Sequence, residues 1–254
     1  MAYEERYCAY VDVLGFRELI RDLDMASAER QAAMVDEIEA LLYGTHSPFE
    51  EAADAAPGDL RIQTVSDAIC VSAPVNEEDL AKLLGRLGTL TMNLLRYGYF
   101  VRGAVVKGRL HHTKQFVFGG ALVKAYRLES EVARYPRIML TREVADAAWA
   151  GRNAAEGYPD VLRPADDGPF FVHVLGRPLY HLEAGAADGR QIILAGHLRH
   201  IAGQIQRRFN DAVDDPRIFE KVQWFAKYWN ASTSRVRHLV PNIRGPGLGP
   251  LGIE

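Results

Sequence analysis

The chain has 254 residues, of which 48% are hydrophobic and 25% charged, an ordinary globular composition long enough to bury a sizeable core. Its net charge of −3 supplies no global basic field, which argues against nucleic acid or an anionic membrane as partner. No apolar run approaches the roughly 18 residues that span a bilayer, and the charged opening Met1-Ala2-Tyr3-Glu4-Glu5-Arg6 is unlike a signal peptide, so a cytoplasmic protein is expected.

Residues 7–13 form a continuous apolar run with β-branched and aromatic members, the pattern of a strand buried on both faces. From Phe16 to about Leu42 the apolar positions recur at helical spacing, predicting two helices or one broken helix, and the proline- and acid-containing stretch 44–58 is expected to be a loop. Residues 60–65 and 68–73 read as a hairpin with Ser66-Asp67 at its tip. Asn76 or Glu77 opens a helix to about Arg96 with leucines 80, 83, 84, 87, 90 and 94 inward. Strands are expected at 99–107 and 115–118, and Gly119-Gly120 starts a helix reaching about Ala133.

A short strand at 137–140 and a helix capped by Thr141 follow, then a hairpin of 170–174 with 178–182. Two amphipathic helices, 191–213 and 218–228, precede a Gly/Pro-rich tail, 244–254, expected to be loose. Cys8 and Cys70 fall inside apolar strands and are expected to be reduced core thiols. Adjacent His111 and His112 point apart on a strand and complete no metal spacing. The order implies an α+β, ferredoxin-like core with a central, mostly antiparallel sheet, plus a helical C-terminal extension. The expected division is a catalytic domain over 5–185, the extension over 186–243 and the tail over 244–254.

Two carboxylates carry the chemistry. Asp12, inside Tyr10-Val11-Asp12-Val13-Leu14-Gly15-Phe16, and Asp67, inside Thr64-Val65-Ser66-Asp67-Ala68-Ile69, each sit at the end or turn of a β-branched run. Brought together on neighbouring strands, they make a hard oxygen site suited to Mg²⁺ or Mn²⁺. The Gly15-Phe16 step beside the first frees backbone N–H groups to face phosphates.

Asp12-Val13-Leu14-Gly15-Phe16 resembles the Asp-Ile-x-Gly-Phe motif of class III nucleotidyl cyclases, and Val65-Ser66-Asp67-Ala68 resembles their second metal-aspartate hairpin. Residues 119–130, Gly-Gly-Ala-Leu-Val-Lys-Ala-Tyr-Arg-Leu-Glu-Ser, resemble the family helix that reads Gly-x-x-Val-Asn-x-Ala-x-Arg-Leu-Glu. The likeness spans about 5–185. It implies that Asp12, Asp67 and the Val13 carbonyl hold two Mn²⁺ or Mg²⁺ ions, that the backbone of Leu14, Gly15 and Phe16 lines the triphosphate, and that Arg127 stabilises the transition state. In the family that arginine comes from the partner subunit, so a homodimer with shared sites is implied. The companion asparagine is Val123 here, which removes a ribose contact. Arg177, before the expected last strand, is a candidate for the family's phosphate-gripping basic residue.

The family's purine-reading positions fall on Gln63 and Phe116, so neither the adenylate lysine and aspartate nor the guanylate glutamate is present. A carboxamide can donate and accept at once, which suits the edge of uracil or cytosine, and Phe116 offers an apolar wall for a small ring. The pattern resembles the Pycsar-type pyrimidine cyclases of bacterial antiphage defence. UTP is therefore the expected substrate, with cyclic UMP read by a separate effector. Cytidylate or purine cyclisation, a non-catalytic nucleotide- or partner-binding module, and a palm-type polymerase or diguanylate cyclase are the competing readings. The missing Gly-Gly-(Asp/Glu)-Glu-Phe turn and basic template channel argue against the last.

Overall fold

The computed structural model describes residues 3–55, 59–151, 162–184 and 189–249. An α+β arrangement is built on one eight-stranded sheet. Strand β1 (Glu4–Leu14) lies between β3 (Ala68–Pro74) and β4 (Phe100–His112), antiparallel to both. Outside β3 lies its hairpin mate β2 (Arg61–Val65), as expected. On the other side, β6 (Ile138–Leu140) pairs parallel to β4, followed by β8 (Phe170–Val172) and β7 (Leu162–Pro164). The two-residue β5 (Val117–Phe118) folds back on the end of β4.

β1 is covered on both faces, which is why it reads as an unbroken apolar run. Tyr7, Ala9, Val11 and Val13 join a large core with α3 (Glu77–Leu95), while Cys8 joins a smaller one with Cys70, Val106 and the alanines of α4 (Gly120–Arg127). The leucines of α3 are buried as the periodicity predicts, and Asn76 caps the helix by accepting from the Asp79 N–H at 2.8 Å. The two cysteines are unbridged, with Sγ atoms 3.9 Å apart.

Several expectations require correction. α1 (Phe16–Met25) and α2 (Ala28–Ala55) are the two expected helices, but α2 runs on through 44–55. Thr141 precedes α5 (Arg142–Ala150) without capping it, and its Oγ1 is buried without a partner. Residues 178–182 belong to α6 (Gly176–Glu183), not a strand. Leu179 and Leu182 are both buried one turn apart, and Pro178 fits a first helical turn; the strand that pairs with β8 is β7.

α7 (Gly189–Asp211) and α8 (Pro216–Ser232) pack into the same hydrophobic cluster as α3 and the sheet, with Trp229 fully buried. The start of the tail is pinned. Asn230 holds both backbone groups of Ile243 (2.7 and 2.9 Å), and Gln206 holds both of Arg244 (2.8 Å each). Among the described residues no helix is long and apolar enough to cross a membrane.

Gly103, opposite Val11 in the β1–β4 register, lets the two backbones close, since an added Cβ would stand 2.6 Å from the Tyr10 carbonyl oxygen and 3.1 Å from the Val11 Cα. Gly103→Ala is expected to destabilise the fold by about 1–3 kcal/mol, read as a lower denaturation midpoint at unchanged slope. An unchanged midpoint would mean that the strands can splay.

Candidate functional site

Register brings the two aspartates together. Asp12 pairs with Ala68 on β3 and with Arg102 on β4, and Ala68 directly follows the Ser66-Asp67 turn. The Val13 N–H then donates to the Asp67 carbonyl at 3.1 Å, closing the gap between strand and turn. Ser66 adopts a left-handed φ of 59°, which costs a non-glycine residue about 1–2 kcal/mol and is tolerated here to turn the chain tightly at Asp67. Gly15 (φ +90°) makes the turn from β1 into α1, whose N-terminus has no side-chain cap. Its first N–H groups therefore have no capping side chain to donate to.

Two residues with no assigned role in the sequence reading shape the charge. Arg102 donates from Nε to Glu129 Oε1 at 2.6 Å, and its Nη2 stands 2.5 Å from the same oxygen. Glu129 is only 3% exposed and sits in a wider π turn (Leu128–Val132) that continues α4. With the guanidinium so committed, its Nη2 remains 3.9 Å from Asp12 Oδ2. Asp12, with 23% of its side chain exposed, keeps little compensation. Its carboxyl is pushed from 3.8 up to about 6, first by burial, then by Glu129 and Asp67, with Arg102 and Arg17 opposing. The Tyr10 hydroxyl, beside the same charges, rises to about 12 through burial, Glu129, Asp12 and Asp67. A signal for this pair existed in the sequence: an arginine inside a buried strand and a glutamate inside the quoted helix motif.

This surplus of negative charge and the hard oxygen donors fit a divalent cation. Among the described residues no group of three or more His, Cys, Asp or Glu forms a complete cage. An ion held by Asp12 and Asp67 would thus draw further oxygens from backbone, water or substrate phosphates, the usual habit of Mg²⁺. His111 and His112 take no part. The His112 ring is buried against Ser72 (Nδ1 to Oγ 2.8 Å), and burial with nearby Arg6 and Arg61 lowers it to about 4.

Gln63 on β2 lies opposite Cys70, which lies opposite Tyr10, so it sits two rows along the sheet from Asp12, on the same face. Its Nε2 donates to the Gln115 carbonyl at 3.3 Å, while its Oε1 is buried with no partner. Phe116 follows in a turn closed by Thr113 N–H to the Phe116 carbonyl (2.8 Å), and its ring is 66% exposed. The two expected base-reading residues therefore meet through Gln115.

The remaining two candidates are elsewhere. Arg127, at the end of α4, has a 70%-exposed side chain 3.9 Å from Glu131 one turn on. Arg177 is in the first turn of α6 and lines a cavity between α3, α6 and α7 that none of Asp12, residues 13–16 or Asp67 lines. Residues 176–183 form a helix, so Arg177 is presented from a first helical turn and not from the approach to a strand.

No protein-family model matches the chain, and no curated protein matches it significantly. Among solved structures, it is similar to the monomeric guanylyl cyclase domain of a RhoGC fusion protein from the aquatic fungus Blastocladiella emersonii. That match has 13% identity and a TM-score of 0.43, over 67% of this chain and 95% of that one. The catalytic core of a rhodopsin-guanylyl cyclase with converted specificity, in complex with ATPαS, matches over the same shares with 13% identity and a TM-score of 0.44. A bacterial light-regulated adenylyl cyclase matches over 70% of this chain and 56% of its own at 13% identity and a TM-score of 0.42. At that distance the functional reading rests on the residues themselves.

The raised Asp12 carboxyl makes stability depend on pH. The unfolded chain releases this proton near 3.8 and the folded one near 6, so ionisation destabilises the fold increasingly between those values and by a constant amount above them. Asp12→Asn is expected to stabilise the metal-free protein by about 1–3 kcal/mol at pH 7.5 and to leave it unchanged near pH 3.5, measured by urea unfolding. An equal effect at both pH values would remove the electrostatic account.

Proposed function

We propose that the protein is a metal-dependent nucleotide cyclase of the class III type, converting UTP to 3′,5′-cyclic UMP and pyrophosphate. The observation that carries this reading is the Asp12–Asp67 pair, set side by side by strand register and left with excess negative charge. In the reaction the ribose 3′-oxygen bonds to the α-phosphorus in line, the bond from that phosphorus to the β-phosphate bridging oxygen breaks, and the 3′-hydroxyl proton departs. Two Mn²⁺ or Mg²⁺ ions, when bound, would supply Lewis acidity toward the 3′-oxygen and neutralise the phosphates.

The chain's own part is positioning. Asp12, Asp67 and the Val13 carbonyl hold the ions. The turn at Leu14, Gly15 and Phe16 and the uncapped start of α1 receive the triphosphate. Gln63 reads the base, and its unpartnered Oε1 supports uracil, whose ring N3–H needs an acceptor. Phe116 walls the ring. Arg127 acts on the site of a second copy. The exposed apolar side chains around it, Val123, Tyr126, Phe118 and Val132, support that homodimer. The catalytic unit is residues 5–185, extended by the C-terminal helices. By the resemblance, cyclic UMP would serve as a second messenger of antiphage defence, read by a separate effector in the cytoplasm.

Incubation with each of the four ribonucleoside triphosphates and Mn²⁺ is expected to yield cyclic UMP as the main product by mass. No cyclic product from any of them would sink the enzyme reading, and cyclic AMP as the main product would sink the base assignment. Asp67→Ala and Arg127→Ala should each lower turnover about 100-fold or more. Mixing the two should restore roughly a quarter of the wild-type rate, because half the dimers are mixed and each holds one intact site.

A further inference from the structure

Away from the aspartates, α3, β8, α6 and α7 enclose a cavity of about 800 Å³, a size typical of small-molecule sites. Its walls are aliphatic, with Leu84 and Met92 from α3, Val172 and Val174 from the end of β8, and Leu198 and Ile201 from α7. Among the described lining residues there is no Phe, Tyr or Trp, and the rings present are those of His173, His181 and His197.

Cationic side chains predominate among the described charged residues of the lining. Lys82, Arg86 and Arg96 come from α3 and Arg177 from α6, with His181 and His197 beside them. The only carboxylate among the described lining residues is Glu78, and Lys82 Nζ already neutralises it at 2.7 Å.

The helix itself keeps the space open. Gly85 and Gly88 line the cavity from the middle of α3, where each glycine costs about 1 kcal/mol relative to alanine. Neither has a positive φ, and a Cβ built on either would meet nothing within 4 Å. Backbone geometry therefore does not require glycine at these positions. What glycine preserves is room.

We propose that this cavity binds an amphipathic aliphatic anion, an acyl-chain carboxylate whose chain lies along the leucine, methionine and valine walls and whose head meets the arginines. The proposal stands apart from the cyclase reading, because of the residues offered for cyclisation only Arg177 lines the cavity, and binding is measured without turnover.

Calorimetric titration of the full chain with decanoate at pH 7.5 should give one site per chain. Decan-1-ol, with the same tail and no charge, should bind at least about tenfold more weakly, since the charged head is paired with guanidinium. Decyltrimethylammonium should not bind. Arg86→Gln should weaken decanoate several-fold. Gly88→Leu should abolish binding while leaving the melting temperature unchanged or raised, because leucine favours helix and fills empty space. Absence of decanoate binding, equal affinity for the alcohol, or binding that survives Gly88→Leu would each overturn the proposal. A change in oligomeric mass on Gly88→Leu would overturn it too, by marking the groove as a contact between copies of the chain.

Discussion

The register of β1 between β3 and β4 is the constraint on which the rest depends. Side chains alternate along a strand, so a slip of one residue would send Asp12 into the leucine-rich core and bring Val11 or Val13 to the site. Hydrophobic burial on both faces already penalises such a slip, and a polar chain fixes it further. Arg6 of β1 donates from Nε to Ser72 Oγ of β3 (3.0 Å), and that hydroxyl meets His112 Nδ1 of β4 (2.8 Å). All three side chains are buried, so each partner lost would strand a desolvated group. Burial holds His112 neutral at physiological pH, which lets Nδ1 accept the serine proton while the serine oxygen accepts from arginine. One network at one end of β1 thus fixes the alignment of carboxylates at the other.

The elements that were legible in the sequence are those whose signal is local. Alternating or continuous apolar runs located β1, β3 and β4, leucine spacing located α3, and Ser-Asp between two β-branched runs located the turn that carries Asp67. What misled was context. Residues 178–182 have the composition of a short strand, and only the burial of Leu179 and Leu182 against the helical layer decides for a helix. The glycines and prolines of 244–249 suggest looseness, yet Gln206, Asn230 and Gln223 satisfy the backbone there or beside it from two different helices. Side-chain amides reaching across about a dozen to forty positions leave no periodic trace.

At the site, the two aspartates and the Gly15 turn could be read from short motifs, while the pairing of the residues that set their charge could not, although an arginine in a buried strand and a glutamate in the helix motif hinted at it. Arg102 and Glu129 are separated in sequence and belong to different elements, a strand and a π turn. Their pairing is an outcome of α4 lying over the β1–β4 face. A π turn has no distinctive composition, so the inward aim of Glu129 had to come from the fold.

That pair decides how the site behaves. A free Arg102 opposite Asp12 would neutralise it, lower its carboxyl into the ordinary range and fill the space a cation needs. Glu129 prevents this by holding the guanidinium at 2.5–2.6 Å and leaving Asp12 at 3.9 Å. The fold therefore carries an arginine close enough to keep a buried region tolerable, yet occupied enough to leave Asp12 poorly compensated. Energetically this is unfavourable for the empty protein, since desolvated negative charge opposes folding. On the proposed reading a divalent cation would reverse the sign, because the same carboxylates would become its ligands. On that reading, stability given up around Asp12 would be the counterpart of affinity for a doubly charged ion, and both would follow from one salt bridge that points away from it.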